Sequence, residues 1–431
     1  MEKRYAIGVA GIAGAAAART GDEMSGPALL LAGLAVTGSA STATALLAGI
    51  TVSAALGGPV FGVLLDRSAR PGRLLAVALS TYGSALVVIL LSLGRVPVVA
   101  TVLIAVCAGL LGPALSGGWT AQLPCVVRPE ELPRATALDA LTFNFASLTG
   151  PALAGPVAGL AGAPTGVFVS AALIGAAVPV AWRLPGVRAG EARSSAAAPP
   201  PGPTPTPTPA PTPASVVVDL RAGFRAIART PSLARATVAS VISCVGQGIL
   251  VACSPLLGER VFGSANHGVV LLSGVAASAL LANAVLARYP RLMRRPDAVL
   301  PYSTIVLAVA LLLAVLAATG RPVLLVAAML IAGLGEGPQL AALFAIRHRE
   351  APERLRGQIF TTGASLKITG FALGAALTAP LAARSLTTAL LTAAATQAVA
   401  ALSCGWGSGR DRQGRRGGRN PLDRVGRGEP Q

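Results

Sequence analysis

GVLLDRSARPGR, residues Gly62 to Arg73, places Asp66, Arg67, Arg70 and Arg73 between two runs built almost wholly of Ala, Leu, Val and Gly. The run before it, Thr42 to Leu65, and the run after it, Leu74 to Leu93, are each as long as the roughly 20 helical residues that cross about 30 Å of hydrocarbon. A charged turn between two such runs belongs at a membrane edge, because the hydrocarbon interior strongly disfavours unpaired charge. The stretch therefore reads as the connection between two spans of a multi-span chain.

The whole composition agrees. Of the 431 residues 53% are hydrophobic and only 12% charged, far below the roughly 25% charged of soluble domains. Gly, at 50 residues, and Ala are abundant, and small residues let helices approach closely inside a bilayer. The formal charge of +18 raises a nucleic-acid partner, but the basic residues fall in loops rather than on one continuous face, which excludes that class. Cys107, Cys125, Cys244, Cys253 and Cys404 have no CxxC spacing and read as small buried residues, not a disulfide framework or a metal site. With two His and no GxxxxGK[ST] loop, nothing points to an enzyme, a cofactor or an ATP-driven pump. The start, MEKRYAIGVAGIAGAAAA, has the outline of a signal peptide, yet the spans behind it favour a first transmembrane helix.

Twelve spans are expected. They run Ala6 to Val36, Thr42 to Leu65, Leu74 to Leu93, Pro97 to Gly118, Thr136 to Ala161, Thr165 to Ala181, Ala234 to Leu257, Val269 to Ala287, Val299 to Thr319, Val323 to Ile346, Gly357 to Ala382 and Leu386 to Cys404. This gives an all-α integral membrane protein with a six-helix bundle at 1–182 and another at 234–404, joined by a linker at 183–233 and followed by a basic tail at 405–431. The linker holds SSAAAPPPGPTPTPTPAPTPAS, Ser194 to Ser215, whose composition predicts an extended or disordered tether. Within the long first span, Gly21 to Pro27 predicts a kink or break.

Arg95, Arg260, Arg321 and Arg384 fall in the loops of one side, Arg19 and Lys367 fall within spans, and the remaining basic residues fall on the other side together with both termini. That side is expected to be cytoplasmic, in the cell membrane. Trp119, Trp182 and Trp406 all fall at ends of even-numbered spans on the same side, where interfacial aromatics belong. The tail is either solvated or in contact with anionic lipid.

Charges inside spans need a partner or a water-filled cavity. Arg19 stands three and four residues before Asp22 and Glu23, so on a helix it reaches either acid; the three form a self-neutralising cluster, or the surplus acid, Asp22 first, faces a central cavity and binds a proton or a cationic substrate. Glu336 and Lys367 lie at matching depths of about 16 and about 15 Å on consecutive antiparallel spans, which predicts a pair, either structural or sensitive to protons. Asn144, Gln247, Gln339 and Asn283 are candidates for lining the same cavity or for bonding helices together.

Two six-span halves, a long link and the charged turn together resemble the major facilitator superfamily. Its signature after span two stands here as Gly62, Asp66, Arg67, Arg70, Gly72 and Arg73, with Pro71 as a departure. The resemblance implies that Asp66 and Arg67 latch the halves on the cytoplasmic side in the outward-facing state. In span five SLTGPALAGP is similar to the Gly-Pro motif of drug and proton antiporters, which implies that Gly150, Pro151, Gly155 and Pro156 kink the helix and allow close packing. The Arg that many antiporters carry in span four is missing from Ile104 to Ala114. PEELPRA before span five and PERLRGQ before span eleven echo each other as parallel repeats would. The resemblance implies a monomeric secondary transporter of a small molecule, with proton-coupled export of a hydrophobic or cationic compound first. Uptake of a metabolite, or a sensor that does not transport, are the alternatives.

Overall fold

The computed structural model describes residues 2–185 and 216–405, and among these every regular element is helical. The first half comprises α1 (Glu2–Thr37), α2 (Ala40–Arg67), α3 (Pro71–Ser92), α4 (Val98–Gly109), α5 (Leu132–Ala161) and α6 (Ala163–Trp182). A helix in the connecting segment, α7 (Val216–Arg229), leads to α8 (Pro231–Phe262), α9 (Ala265–Arg288), α10 (Pro296–Ala317), α11 (Pro322–Glu350), α12 (Arg356–Arg384) and α13 (Leu386–Gly405). Ten of these helices are long and apolar enough to cross a membrane, counting α4 together with the turn that follows it. The two long helices outside that set are α1 and α5, of 36 and 30 residues. They carry the charged residues Arg19, Asp22, Glu23 and Asp139.

The halves repeat each other at atomic detail. Gly109 on α4 seats against the Ile50 carbonyl and Ser53 hydroxyl of α2, and Gly333 on α11 seats against the Val275 carbonyl and Ser278 hydroxyl of α9. Both serines turn their hydroxyls back onto a carbonyl of their own helix, Ser53 to Gly49 and Ser278 to Val275. That satisfies the hydroxyl and leaves the neighbouring helix only a glycine-sized gap.

Several expectations are corrected. Of the kink or break expected at Gly21 to Pro27, the break is absent, since α1 continues through this stretch with Pro27 inside it. It is held there by α6, where Ser170 Oγ donates to the Gly21 carbonyl at 2.6 Å and Ile174 fills the space a Gly21 side chain would need. The fourth span is not one α-helix, since α4 ends at Gly109 and a π-helical turn follows at Ala114–Gly118. Trp119, beyond that turn, is 2% exposed in the core and not interfacial, whereas Trp182 is 51% exposed with the Arg73 guanidinium over its ring. Trp406, the Pro/Thr run and the basic tail from 406 lie outside the described residues.

Apolar packing shows where the halves meet. One buried cluster runs from the first half into Leu286, Leu343, Phe344 and Phe360, whereas a second, around Ile249, Leu311 and Leu390, stays within the second half. The shared cluster lies toward the face that carries the α2–α3 turn, called here the basic face. There α2 packs on α12 and α5 on α9 and α11.

The approach of α2 to α12 rests on two glycines. A side chain at Gly58 would overlap the Thr361 carbonyl and Ser365 hydroxyl, and one at Gly62 would overlap Gln358. Ser365 crosslinks the helices, accepting from the Gly58 N–H at 3.0 Å and donating to the Ala54 carbonyl at 2.7 Å. Gly62→Val is expected to weaken this seam by about 1–3 kcal/mol, the range for overpacking. Spin labels at the exposed positions Ala69 and Arg354 should then report a longer distance across the basic face. An unchanged distance distribution would mean that the seam absorbs the side chain.

Candidate functional site

Asp66 ends α2 beside the start of α12, and its carboxylate caps that helix from the other half. Oδ1 accepts the Gly357 N–H at 2.7 Å and Oδ2 accepts the Gln358 N–H at 2.8 Å. These are the second and third N–H groups of α12, those a helix leaves without internal partners and an N-cap side chain normally takes. The residue at the cap position of α12 is Leu355, which has no side-chain acceptor. A carboxylate is also favoured there by the positive end of the helix dipole.

The rest of the charged turn faces elsewhere. Arg67 pairs with Asp219 of α7 at 2.6 Å, with both side chains about one-third exposed. An ion pair so wet contributes little by itself. Gly72 seats against the Ala181 carbonyl and Leu184 of the α6 end, Arg73 lies over Trp182, and Arg70 is exposed. α7 lies across the capped end of α12, where the Leu220 carbonyl accepts from Gln358 Nε2 at 3.0 Å and Gly223 makes room for the Gln358 side chain. Ile227 joins Leu233, Leu355 and Ile359 in a small apolar cluster beneath it.

Deeper in the first half, Arg19 corrects the local pairing. Its guanidinium turns to Asp139 on α5 at 2.9 Å instead of to Asp22 or Glu23, and the two side chains are 2% and 1% exposed. Thr142, Thr120 at 2.9 Å and the Ser116 carbonyl at 3.3 Å accept its other donors. Thr120 in turn donates to Asp139 Oδ2 at 2.7 Å, and the Phe143 ring lies 3.6 Å below the guanidinium. Ser116 lies in the π-helical turn, and its carbonyl, which already accepts the Trp119 N–H, accepts from Arg19 as well.

Asp22 and Glu23 are thereby left without a cation. Tyr82 donates to Asp22 Oδ1 at 2.8 Å, and Ser25 donates to the Asp22 carbonyl at 2.7 Å. Glu23 is exposed although it stands midway along α1, and it feels the charges of Asp22 and, from the other half, Glu336. Glu336 and Lys367 are half-buried and act on each other electrostatically, but they make no ion pair in this state. Glu23 thus lies within electrostatic reach of Asp22 on its own helix and of Glu336 in the other half, and Glu336 within reach of Lys367.

The amide candidates act as helix bonding. Asn283 Nδ2 on α9 donates to Asn144 Oδ1 on α5 at 2.6 Å, a bond between the halves. Gln247 donates to Ser243 and Gln339, and Gln339 donates to Thr304 at 2.9 Å. Ser243 reaches Gln397 at 2.7 Å, so α8, α10, α11 and α13 share one network. In the Gly-Pro stretch, Gly150 packs directly against Glu23 and Met24 of α1. Gly155 has no atom near the place of a side chain, so the close packing expected of it is not made here, and α5 continues through Pro151 and Pro156.

Three residues escaped the sequence reading. Asp139 sat unremarked in an apolar span, Asp219 sat in a stretch read as linker, and Arg347, read as marking a membrane end, is 1% exposed. Asp219 had a visible signal. VVVDLRAGFRAIAR repeats its small and apolar residues at Leu220, Gly223 and Ile227, the spacing of one helix face.

A family model described as Major Facilitator Superfamily matches residues 11–379. The chain is 27% identical over 380 residues to the uncharacterized MFS-type transporter y4rN of Sinorhizobium fredii, with 84% of each chain covered. Among solved structures it is similar to a bacterial homologue of the iron transporter ferroportin in the outward-facing state. The TM-score is 0.70 at 17% identity, over 92% of this chain and 98% of that one. The proton:xylose symporter XylE, bound to 6-bromo-6-deoxy-D-glucose, gives 0.68 at 11% identity, over 93% and 94%. The human organic anion transporter MFSD10 gives 0.67 at 13% identity, over 93% and 99%.

Proposed function

The chain belongs to the major facilitator superfamily, and on that premise we propose that it exports a hydrophobic or cationic small molecule in exchange for protons, by alternating access. The basic face is cytoplasmic, both termini lie on that side, and the two six-helix bundles rock about the space between them. The conformation described is the one closed toward the cytoplasm.

The observation that carries this reading is the distribution of contacts and charges between the halves. The hydrogen bonds of Asp66, Ser365 and Asn283 join the halves toward the basic face, while Glu23 remains exposed midway along α1. Asp22, Glu23 and Glu336 outnumber Lys367 in that space, which favours a cation or protons as its occupant. Carboxylates that lack an ion-pair partner are the groups able to release a proton to one side and collect it from the other.

Everted vesicles holding the full chain test the proposal. With the lumen acidified, tetraphenylphosphonium should accumulate inside, and a protonophore should abolish that accumulation. Movement that ignores the pH gradient would remove proton antiport. Accumulation of a sugar or other metabolite only when the gradient is reversed would establish uptake instead.

A further inference from the structure

Arg347 on α11 is 1% exposed, and its Nε and Nη2 have no hydrogen-bond partner. No salt bridge to it is formed among the described residues, in contrast to Arg19, whose carboxylate lies 2.9 Å away. The nearest chain is α12, where a side chain on Gly363 would overlap the guanidinium. That glycine is the seat of the arginine. Its neighbour Thr362, 1% exposed, has an unpartnered hydroxyl, and so do both ring nitrogens of His348, 7% exposed, lack partners.

The basic groups around the seam outnumber the acidic ones, and the one side chain that acts on Arg347 in the opposite sense is the buried Cys244 thiol of α8. His348 feels both Arg347 and Arg356, while Arg356 approaches Glu353 only at 3.9 Å, at the exposed rim. Lys367 follows Gly363 by one helical turn on the same face of α12. Glu336, two to three turns back along α11, already has Lys367 acting on it. The Phe360 ring centre, 5.9 Å from the guanidinium carbon, offers a partial electrostatic partner and no acceptor. A buried guanidinium with neither a carboxylate nor carbonyls is strongly unfavourable unless a counter-ion arrives from outside the chain.

We propose that Arg347 binds a compact anion in the seam between α11 and α12, with Thr362 and His348 as neighbouring donors. The enclosure of Arg347 sets the size. The occupant is an ion of the dimensions of chloride or a simple carboxylate, not a large organic anion. This site is separate from the acids that face the space between the halves, and it stands whether or not the transported molecule is a cation.

The test uses the purified full chain in detergent, with chloride or acetate replacing gluconate at constant ionic strength. The unaltered protein should show a saturable rise in thermal midpoint, on the order of 2 °C, with chloride and acetate and none with gluconate. Arg347→Gln should lose that response and, in gluconate, melt no lower than the unaltered protein, because an uncompensated buried charge has been removed. If Arg347→Gln does not fold, Thr362→Val decides. It should raise the half-saturating chloride concentration about tenfold, as loss of one hydrogen bond to a charged group implies. No difference between chloride and gluconate in the unaltered protein, or a full response in either variant, overturns the proposal.

Discussion

Replacing Asp66 by Ala is expected to open the basic face. Each hydrogen bond to a charged group contributes about 1.5–3 kcal/mol, and Asp66 accepts two from the start of α12. Water reaches the freed N–H groups at this half-buried edge and offsets part of the loss. A net weakening of about 2–3 kcal/mol remains, which moves a two-state equilibrium by roughly 30- to 150-fold. Distance measurements between labels on the two halves should show the shorter-distance population across the basic face depleted, and transport should fall at least about tenfold, because a cycle needs both states. Asp66→Asn keeps an acceptor without the charge and should fall between. If Asp66→Ala leaves both the distance distribution and transport unchanged, the cap on α12 does not govern the equilibrium.

Asp139→Ala should act on stability instead. It leaves Arg19 charged, 2% exposed and without its carboxylate, a change that costs about 3–5 kcal/mol. The thermal midpoint of the purified protein should drop markedly, whereas Asp139→Asn, which keeps one oxygen for Arg19 and turns an amide N–H toward the Thr120 hydroxyl, should drop less. Removing both charges as Arg19→Met with Asp139→Leu should recover much of the loss, because an apolar pair of similar volume dispenses with the burial of two ions. A double variant as unstable as Asp139→Ala alone would show that Thr120, Thr142 and Ser116 rely on the arginine itself.

The two cases also show what the sequence contains. Spans, halves and the membrane edge at Asp66 and Arg67 follow from hydropathy and from a charged turn, both of which are local signals. So does the possibility that a carboxylate at that edge meets a helix end. The partner of Arg19 does not follow, because spacing along one helix favours Asp22 and Glu23 equally and nothing local points 120 residues ahead to Asp139. The same limit hid Arg347. A basic residue near a span end reads as a membrane marker until the packing of α12 encloses it. α7 was obscured by its neighbourhood, since the adjoining Pro/Thr run set the reading of the whole connecting segment as a tether.

The pairing of α1 with α5 has a consequence for how the chain is made. α1 emerges before α5, and these are the two long helices among the described residues not apolar enough to count as spans by composition. The arginine of α1 must wait for an aspartate 120 residues downstream, about 6–24 seconds at ordinary synthesis rates. During that interval the arginine, a charge that costs about 2.5–3.5 kcal/mol at mid-membrane, has only Asp22 and Glu23 of its own helix within reach. Arg19 therefore has to exchange a partner on its own helix for one on α5, so the half-bundle assembles through a switch of ion pairs, and its first described segment reaches its final contacts late.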